Sequence, residues 1–210
     1  MTSRVLTEFQ IEEFRDALCA SATRMFAEQG FDGVTMRALA ADLGCSPMTP
    51  YRYFKNKSEI FHAIRAAAAE RFAEAIEEGA RGHSSHIERL RGITRGHVEF
   101  ALSEPHAYRI MFELQNRPIL CAVDVDQRMS MKSWKVMHAA VAEAVMSGEL
   151  EGDPAILAHL FWSSIHGLVN LEHSGMLRLG KNLEELVDAF MEREFGGSGK
   201  TGRKPAPIGR

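Results

Sequence analysis

The sequence of 210 residues predicts an all-α protein. Apolar residues recur at the three- and four-residue spacing of a helix along most of the chain, as at Ile11, Phe14, Leu18 and Ala22. Gly and Pro residues interrupt this spacing where helices would end. No segment shows the alternating pattern of a strand, and no internal repeat is visible. These observations predict a chain of helices joined by short loops.

In the N-terminal part, the spacing of apolar residues predicts short helices followed by one long helix. A first helix begins near Ile11, and Gly30 ends it. Thr35 is a suitable N-cap for a second helix, and Gly44 follows that helix. The predicted helices after the first are 35–43, 46–54 and the long helix over about 57–79.

The C-terminal part begins after a stretch rich in Gly and Ser between Gly79 and Ser85, which is the best linker in the chain. Pro105 and Pro118 break the pattern, and Asp153-Pro154 is a cap followed by a helix-starting proline. The predicted helices are 86–103, 105–115, 124–147, 154–173 and 182–195. We expect a first domain over 1–65, a second over 84–195, the helix 57–79 between them, and a disordered basic tail over 196–210.

Composition excludes several classes of protein. The net charge is −3, so any attraction to nucleic acid must come from a local patch. The three cysteines are odd in number and far apart, which argues against a disulfide framework. No apolar run approaches the roughly 18 residues of a membrane span, and no signal peptide is visible. We therefore expect a cytoplasmic protein.

Two helix-start signals stand three residues apart in the segment CSPMTPYRYFKNK. Each is a capping residue followed by proline, at Ser46-Pro47 and at Thr49-Pro50. If the helix starts at Ser46, Pro50 lacks the N–H of the first intrahelical bond and pushes Thr49 away from helical angles. We then expect a loosened or 3₁₀-like first turn. The alternative is a start at Thr49 with an extended lead-in.

The segment from Leu43 to Ser58 contains Arg52, Lys55 and Lys57 and no acidic residue. Two short helices joined by a Gly-containing turn precede and include it, which is the helix-turn-helix pattern. A local basic strip on such a motif is what DNA binding requires. A solvated basic loop is the alternative interpretation.

The residues VTMRALAADLG at 34–44, with Ser46-Pro47, Thr49 and YRYFKNKSEI at 51–60, resemble the DNA-binding domain of the TetR family of transcriptional regulators. The resemblance covers about residues 9–65. It implies a three-helix DNA-binding head and a larger helical domain that dimerises and often holds a small ligand. Met48 and Pro50 depart from the family pattern, which is usually small and aliphatic at these positions.

The resemblance implies that the helix 46–54 lies in the major groove. Pro47 and Met48 would then meet base edges, and both could contact a thymine methyl group. Phe54 would face the core instead. The residues expected at the DNA are Thr35, Arg37, Ser46, Pro47, Met48, Thr49, Tyr51, Arg52, Tyr53 and Lys57.

The second half carries Trp162 followed by His166-Gly167, which resembles a TetR-family C-terminal domain type named for Trp-His-Gly. This implies that helices 154–173 and 182–195 form the homodimer interface. A ligand pocket in this domain would suit an apolar or aromatic molecule, although aromatic and Met residues at helical spacing also form ordinary cores. The expected lining is Phe100, Tyr108, Met111, Phe112, Met131, Trp134, Met137, Phe161, Trp162 and His166.

Other chemistry finds little support in the sequence. His159, His166 and His173 recur every seven residues, a rise of about 10.5 Å that is too long for two ligands of one ion. The tail segment GGSGKT has Glu194 where a phosphate-binding loop needs its first Gly. We expect no metal, no cofactor and no catalytic residues.

These observations predict a homodimeric, ligand-responsive transcriptional regulator that acts as a repressor. It would bind a palindromic operator and release it when a small apolar or aromatic ligand shifts the helix 57–79. Two alternatives stay open: an all-helical enzyme acting on a small apolar substrate, and a regulator without a small-molecule ligand.

Overall fold

The computed structural model describes residues 8–112, 123–177 and 180–195. All secondary structure in these ranges is helical, which confirms the predicted fold class. A 3₁₀ helix interrupts the α-helical series between α2 and α3. The elements are α1 (Glu8–Gly33), α2 (Met36–Asp42), the 3₁₀ helix (Pro50–Arg52), α3 (Lys57–Gly79), α4 (His86–Ser103), α5 (Pro105–Phe112), α6 (Val123–Met146), α7 (Pro154–His173) and α8 (Leu183–Phe195).

Capping residues fix most helix starts where the sequence placed them. Thr35 Oγ1 accepts a hydrogen bond from Ala38 N, and Asp153 Oδ1 accepts from two backbone N–H groups of the first turn of α7. Gly30 has a φ of 72°, which breaks the helical path near the end of α1 as predicted. The end predicted for the helix 105–115 lies outside the described residues, as does the tail 196–210.

The helix predicted over 46–54 is reduced to the 3₁₀ helix. Ser46 O accepts from Thr49 N at 2.8 Å, and Thr49 O accepts from Arg52 N at 3.1 Å, so these turns close over three residues. At the end of the segment Pro50 O accepts from both Tyr53 N and Phe54 N, each at 3.1 Å. The loosened geometry expected from Pro50 is therefore present. The helix starts at Thr49, as the alternative predicted, and the predicted start at Ser46 is wrong. The extended lead-in of that alternative is also wrong, because the bond from Thr49 N to Ser46 O makes 46–49 a turn. The shift expected for Thr49 is also wrong: it keeps helical angles of −64° and −46° despite the following proline.

Two hydrophobic cores lie along the chain. The first, here called the head core, is formed by α1, α2 and the start of α3, and it includes Phe54 as predicted. The second core is formed by the remainder of α3 and by α4 to α8. The long helix α3 contributes to both, with Phe61 and Ile64 in the head core and Phe72 and Ile76 in the second.

The short helix α5 is a second connection between the cores. Ile110 is 1% exposed and packs in the head core, whereas its neighbours Tyr108 and Met111 are buried in the second core. Side chains one or two residues apart on a helix point in different directions, so α5 is wedged between the two.

Helices α3 and α4 approach each other at glycines. A Cβ atom placed on Gly92 would lie 2.0 Å from the backbone oxygen of Gly79, and one placed on Gly96 would lie 2.4 Å from that of Ala75. Arg71 on α3 also forms an ion pair with Glu104 between α4 and α5, at 2.6 Å. The α3–α4 crossing is thus closer than side chains on both helices would allow.

Candidate functional site

The segment from Ser46 to Arg52 forms a protruding surface of the head. Met48 is 67% exposed and Tyr51 is 48% exposed, values that are high for large apolar side chains. Pro50 is buried beneath them and fixes the turn from the inside. Met48 and Tyr51 thus form a small apolar tip that is open to solvent.

Positive charge surrounds this surface. Arg37, Arg52 and Lys55 are exposed, and their side chains have no ion-pair partner within the described ranges of the chain. The nearby acid Asp42 is engaged elsewhere, since it accepts hydrogen bonds from Ser21 and Arg24, each at 2.6 Å. These interactions hold the pKa of Asp42 below its usual range. The strip predicted from the sequence therefore carries exposed positive charge in the folded protein, with the carboxylate of Glu59 folded against its end at Lys55 N.

Two of the residues predicted to touch DNA are engaged inside the head. The ring of Tyr53 packs on Phe14 with centroids 4.8 Å apart. The ammonium group of Lys57 donates to the carbonyl oxygens of Phe31 at 2.8 Å and Val34 at 3.0 Å. Lys57, which was expected at the DNA, thus has two of its three ammonium N–H groups engaged within the head.

The other predicted DNA residues lie on or beside the protruding surface. Thr35 caps α2 through its side chain and is exposed, and Thr49 is half-buried at the base of the turn. The exposed members of the predicted set are Thr35, Arg37, Ser46, Pro47, Met48, Tyr51 and Arg52.

Part of the predicted ligand lining forms one aromatic cluster in the second core. Trp162 and His166 stack with centroids 5.1 Å apart and an interplanar angle of 7°. Phe112 lies 4.9 Å from His166 and 4.7 Å from Tyr108. The half-buried members of the cluster are Phe112, Trp162 and His166.

The remaining predicted lining residues lie apart from this cluster or within ordinary packing. Phe161 faces α8, where its ring packs on Phe190 and Phe195. Trp134 packs on His159 at 4.4 Å. Phe100, Met111 and Met137 are buried core residues, and the side chain of Met131 lies outside the described part of the structure.

An open groove between α3 and α4 differs from the predicted pocket. Its walls carry charged residues such as Arg71, Arg95 and Glu99, and it shares only Phe100 with the predicted lining. This polar groove does not suit the apolar ligand expected from the sequence.

A buried polar network runs through the aromatic cluster. Tyr108 Oη lies 2.8 Å from His97 Nε2 and 2.6 Å from His166 Nδ1. Asn170 Nδ2 lies 2.9 Å from His166 Nε2. Sequence reasoning missed His97 and Asn170. The spacing of four between His166 and Asn170 on a helix was the available signal, whereas His97 comes from another helix.

The partners fix the direction of each hydrogen bond in this network. The amide nitrogen of Asn170 can only donate, so His166 Nε2 accepts. Neutral His166 then carries its proton on Nδ1 and donates to Tyr108, whose hydroxyl donates to His97 Nε2. Burial lowers the pKa of His97 to about 3, with a smaller contribution from His166, so His97 is a neutral acceptor.

Buried, neutral His97 makes stability depend on pH. Its pKa is about 3 in the folded chain and near 6.5 when unfolded, so below 6.5 the unfolded state binds the extra proton. Stability therefore falls as the pH drops through this window, by up to about 1.4 kcal/mol per pH unit. We expect the stability advantage of the native chain over His97→Gln to shrink by about 2–3 kcal/mol between pH 7 and pH 4.5.

Urea unfolding of both proteins across this pH range checks the expectation. The native protein is compared with His97→Gln at each pH, so that the other histidines cancel. If the difference in unfolding free energy between the two proteins stays constant with pH, His97 is not a neutral, buried side chain in the folded protein.

Within the described ranges, no group of three His, Cys, Asp or Glu side chains is placed to hold a metal ion. His159 and His173 bond to the backbone oxygens of Ala155 and Ala101, at 2.7 and 3.0 Å. None of the described helices is long and apolar enough to cross a membrane.

Comparisons with known proteins match both the head and the second core of this chain. A family profile described as bacterial regulatory proteins, tetR family, matches residues 18–64, which hold the head. A profile described as the tetracyclin repressor-like C-terminal domain matches residues 90–193. Together the two matched regions include most of the chain.

Individual relatives are distant. The transcriptional activator FasR of Mycolicibacterium smegmatis is 24% identical over 102 residues, which span 49% of this chain and only 47% of FasR. The transcriptional repressor AcnR of Corynebacterium glutamicum is 25% identical over 183 residues, spanning 83% of this chain and 88% of AcnR.

The fold has also been solved with ligands. The crystal structure of AibR in complex with isovaleryl coenzyme A and operator DNA superposes with a TM-score of 0.70 at 19% identity, over 86% of this chain and 97% of AibR. At this identity the likeness shows a shared fold. With a helix-turn-helix head matched by one family profile and the second core by the other, the chain belongs to the TetR family of bacterial transcriptional regulators.

Proposed function

We propose that this protein is a homodimeric repressor that binds a palindromic operator and is released by a small apolar or aromatic ligand. The observation that carries the proposal is the protruding tip of Met48 and Tyr51 within a cationic strip on the helix-turn-helix head. The repressor role is supported by the match to AcnR, which spans most of both chains.

DNA reading is assigned to the turn 46–49 and the 3₁₀ helix. Met48, at the exposed tip, would contact base edges and suits a thymine methyl group. Arg37 and Arg52 would contact the flanking phosphates. The short, proline-stiffened turn loses little conformational entropy on docking, because Pro47 and Pro50 already restrict the free chain.

Dimerisation is assigned to α7 and α8. Ile156, Leu160, Gly167 and Leu171 fall on one face of α7, and the three apolar side chains are exposed. A Cβ atom on Gly167 would meet no atom of the same chain within 4 Å. A mid-helix glycine costs about 1 kcal/mol relative to alanine, so its presence on an open face supports close approach by a second copy.

The ligand is assigned to the aromatic cluster of Phe112, Trp162 and His166. The stacked Trp162 and His166 and the adjacent Gly167 also support the Trp-His-Gly type of C-terminal domain. AibR shares this fold and binds isovaleryl coenzyme A and operator DNA, which supports a ligand-binding role for the second domain. The domains are then 1–65 and 84–195, with α3 as their link.

Ligand binding would change the separation of the two heads of the dimer. Both α3 and α5 connect the second core to the head core, and Tyr108 and Ile110 are two residues apart on the same short helix α5. A shift of Tyr108 would therefore be felt at Ile110. A typical coupling of about 1–3 kcal/mol would weaken operator binding about 5- to 150-fold.

A regulator without a small ligand is the second candidate. It is favoured by the dense packing around Tyr108, whose ring contacts Phe72, His97, Phe112 and His166. A titration of the full chain with small aromatic compounds, followed by tryptophan fluorescence, distinguishes the two candidates. Saturable quenching by a compound that also releases DNA favours the ligand-responsive regulator. The absence of both effects favours the regulator without a small ligand.

Met48→Ala is expected to change sequence preference more than affinity. Loss of an apolar base contact should relax the choice at one or two base pairs, each worth about 1–3 kcal/mol. The measurement is selection of bound sequences from a random DNA pool by the native protein and by the variant. An unchanged preferred sequence would remove Met48 from the reading surface.

The same selection tests the proposed function. A roughly palindromic winner with half-sites about 34–36 Å apart, or a related spacing, is expected. The absence of any enriched sequence would reject sequence-specific DNA binding by this head.

A further inference from the structure

The first residue of α3 places a positive charge where a helix disfavours it. Lys57 lies at the N-terminal end of α3, and the positive end of a helix dipole repels a cation. The ammonium group is held there by two carbonyl oxygens, Phe31 O and Val34 O. The aromatic ring of Phe31 also packs against the ammonium group, with Nζ 4.5 Å from the ring centroid.

These contacts bind three parts of the head together. Phe31 follows the break in α1 at Gly30, and Val34 lies in the turn before α2. Two of the three N–H groups of Lys57 are therefore used to hold the α1–α2 turn against the start of α3. The carbonyl groups would otherwise lack hydrogen-bond donors near a buried core, which is costly.

One backbone donor of the first turn of α3 is capped by a side chain. Asn56 Oδ1 already accepts from Glu59 N at 2.9 Å. The carboxylate of Glu59 turns back and accepts from Lys55 N at 2.5 Å. A phosphate at this helix end would therefore lie near the carboxylate of Glu59, which weakens its attraction to the helix start.

Lys55 has the properties that Lys57 lacks. It is exposed, its ammonium group has no partner among the described residues, and it directly follows the 3₁₀ helix and Phe54. Only its backbone N–H is engaged, so the side chain is free to reach outward beside Arg52.

We propose that Lys57 is a positioning residue that fixes the turn between α1 and α2 against α3, and that Lys55 supplies the phosphate contact beside the reading surface. The second half of this inference rests on the proposed DNA binding. Each dimer presents Lys55 twice, so its contribution to DNA binding is counted twice.

Two different measurements distinguish the roles of Lys55 and Lys57. Loss of a phosphate contact weakens the salt dependence of binding, whereas loss of a positioning contact lowers stability without DNA. Lys55→Gln is expected to reduce the slope of log affinity against log salt by about 1.8 for a dimer and to leave the melting temperature unchanged. Lys57→Gln is expected to lower the melting temperature by about 4–8 °C and to leave the slope unchanged.

The experiment uses the full-length chain and the duplex selected from a random pool, with Lys135→Gln, an exposed lysine on α6, as the control. A reduced slope for Lys57→Gln with a native melting temperature would overturn the proposal. So would a native slope for Lys55→Gln. If the native chain binds no duplex at any salt concentration, the proposed function itself fails together with the role of Lys55, and the melting temperatures still decide the role of Lys57.

Amine acylation of the native protein covers the case in which Lys57→Gln does not fold. Mass spectrometry after brief treatment with an acylating ester is expected to show Lys57 modified several-fold more slowly than Lys55 in the free protein. The duplex should then slow acylation of Lys55 several-fold and leave Lys57 unchanged. Equal acylation of both lysines in the free protein, or protection of Lys57 alone by DNA, would contradict the assignment.

Discussion

Leu160→Glu is expected to convert the dimer to a monomer and to lower operator affinity by about 10³-fold, to the level of non-specific binding. Leu160 is 58% exposed at the centre of the apolar face of α7. In a two-fold interface the same patch meets itself, so one substitution brings two carboxylates into the contact. Burying unpaired like charges costs several kcal/mol.

The matched control is Leu102→Glu. Leu102 is 51% exposed on α4 and lies outside the proposed dimer face, so the same change should leave both dimer and affinity intact. Sedimentation velocity and DNA titration are measured for both variants. A Leu160→Glu protein that remains dimeric, or a Leu102→Glu protein that dissociates, would place the interface elsewhere.

Gly92→Ala is expected to destabilise the protein by about 3 kcal/mol. The added Cβ atom would lie 2.0 Å from Gly79 O and 2.4 Å from His83 Nε2. The histidine ring can move, but the backbone oxygen belongs to the last turn of α3, so the two helices must separate. Their separation would also loosen the second core on both sides of the crossing.

Urea unfolding measures this loss, with Glu99→Ala as the control on the same helix. Glu99 is exposed, and its replacement should change stability by less than about 0.5 kcal/mol. If Gly92→Ala unfolds like the native protein, the helices do not cross as closely as described, and α3 would be less firmly tied to α4.

Local features of the fold were predictable because they depend on neighbouring residues. Caps such as Thr35 and Asp153 act within one turn, and the effect of Pro50 on hydrogen bonding follows from its missing N–H. The error at Thr49 shows the limit of such reasoning. A proline disfavours helical angles in the residue before it. Thr49 nevertheless has helical angles, and its N–H donates a turn hydrogen bond to Ser46 O.

Features that join distant segments were not predictable from spacing. Lys57 reaches carbonyl groups 26 and 23 residues earlier in the chain, and nothing in the local pattern distinguishes it from an exposed lysine. The local pattern does not indicate that Ile110 enters the head core, because an apolar spacing does not say which core receives a side chain.

The polar network shows the same limit in the candidate ligand site. Tyr108 and His166 were expected in the lining because of their residue type. Their hydrogen bonds depend on His97, which is brought from α4 by the packing of α4 against α5 and α7. The tertiary structure brings the members of this network together, so only some of them could be predicted from the sequence.

The central claim, a dimer that reads two half-sites, is tested most directly by comparing a selected palindromic duplex with one that carries a single half-site. Affinity and stoichiometry are measured for both at the same salt concentration. We expect two chains per palindromic duplex and an affinity at least about 10³-fold above that for random DNA, with a large loss of affinity for the half-site. One chain per duplex, with equal affinity for both, would contradict the central claim.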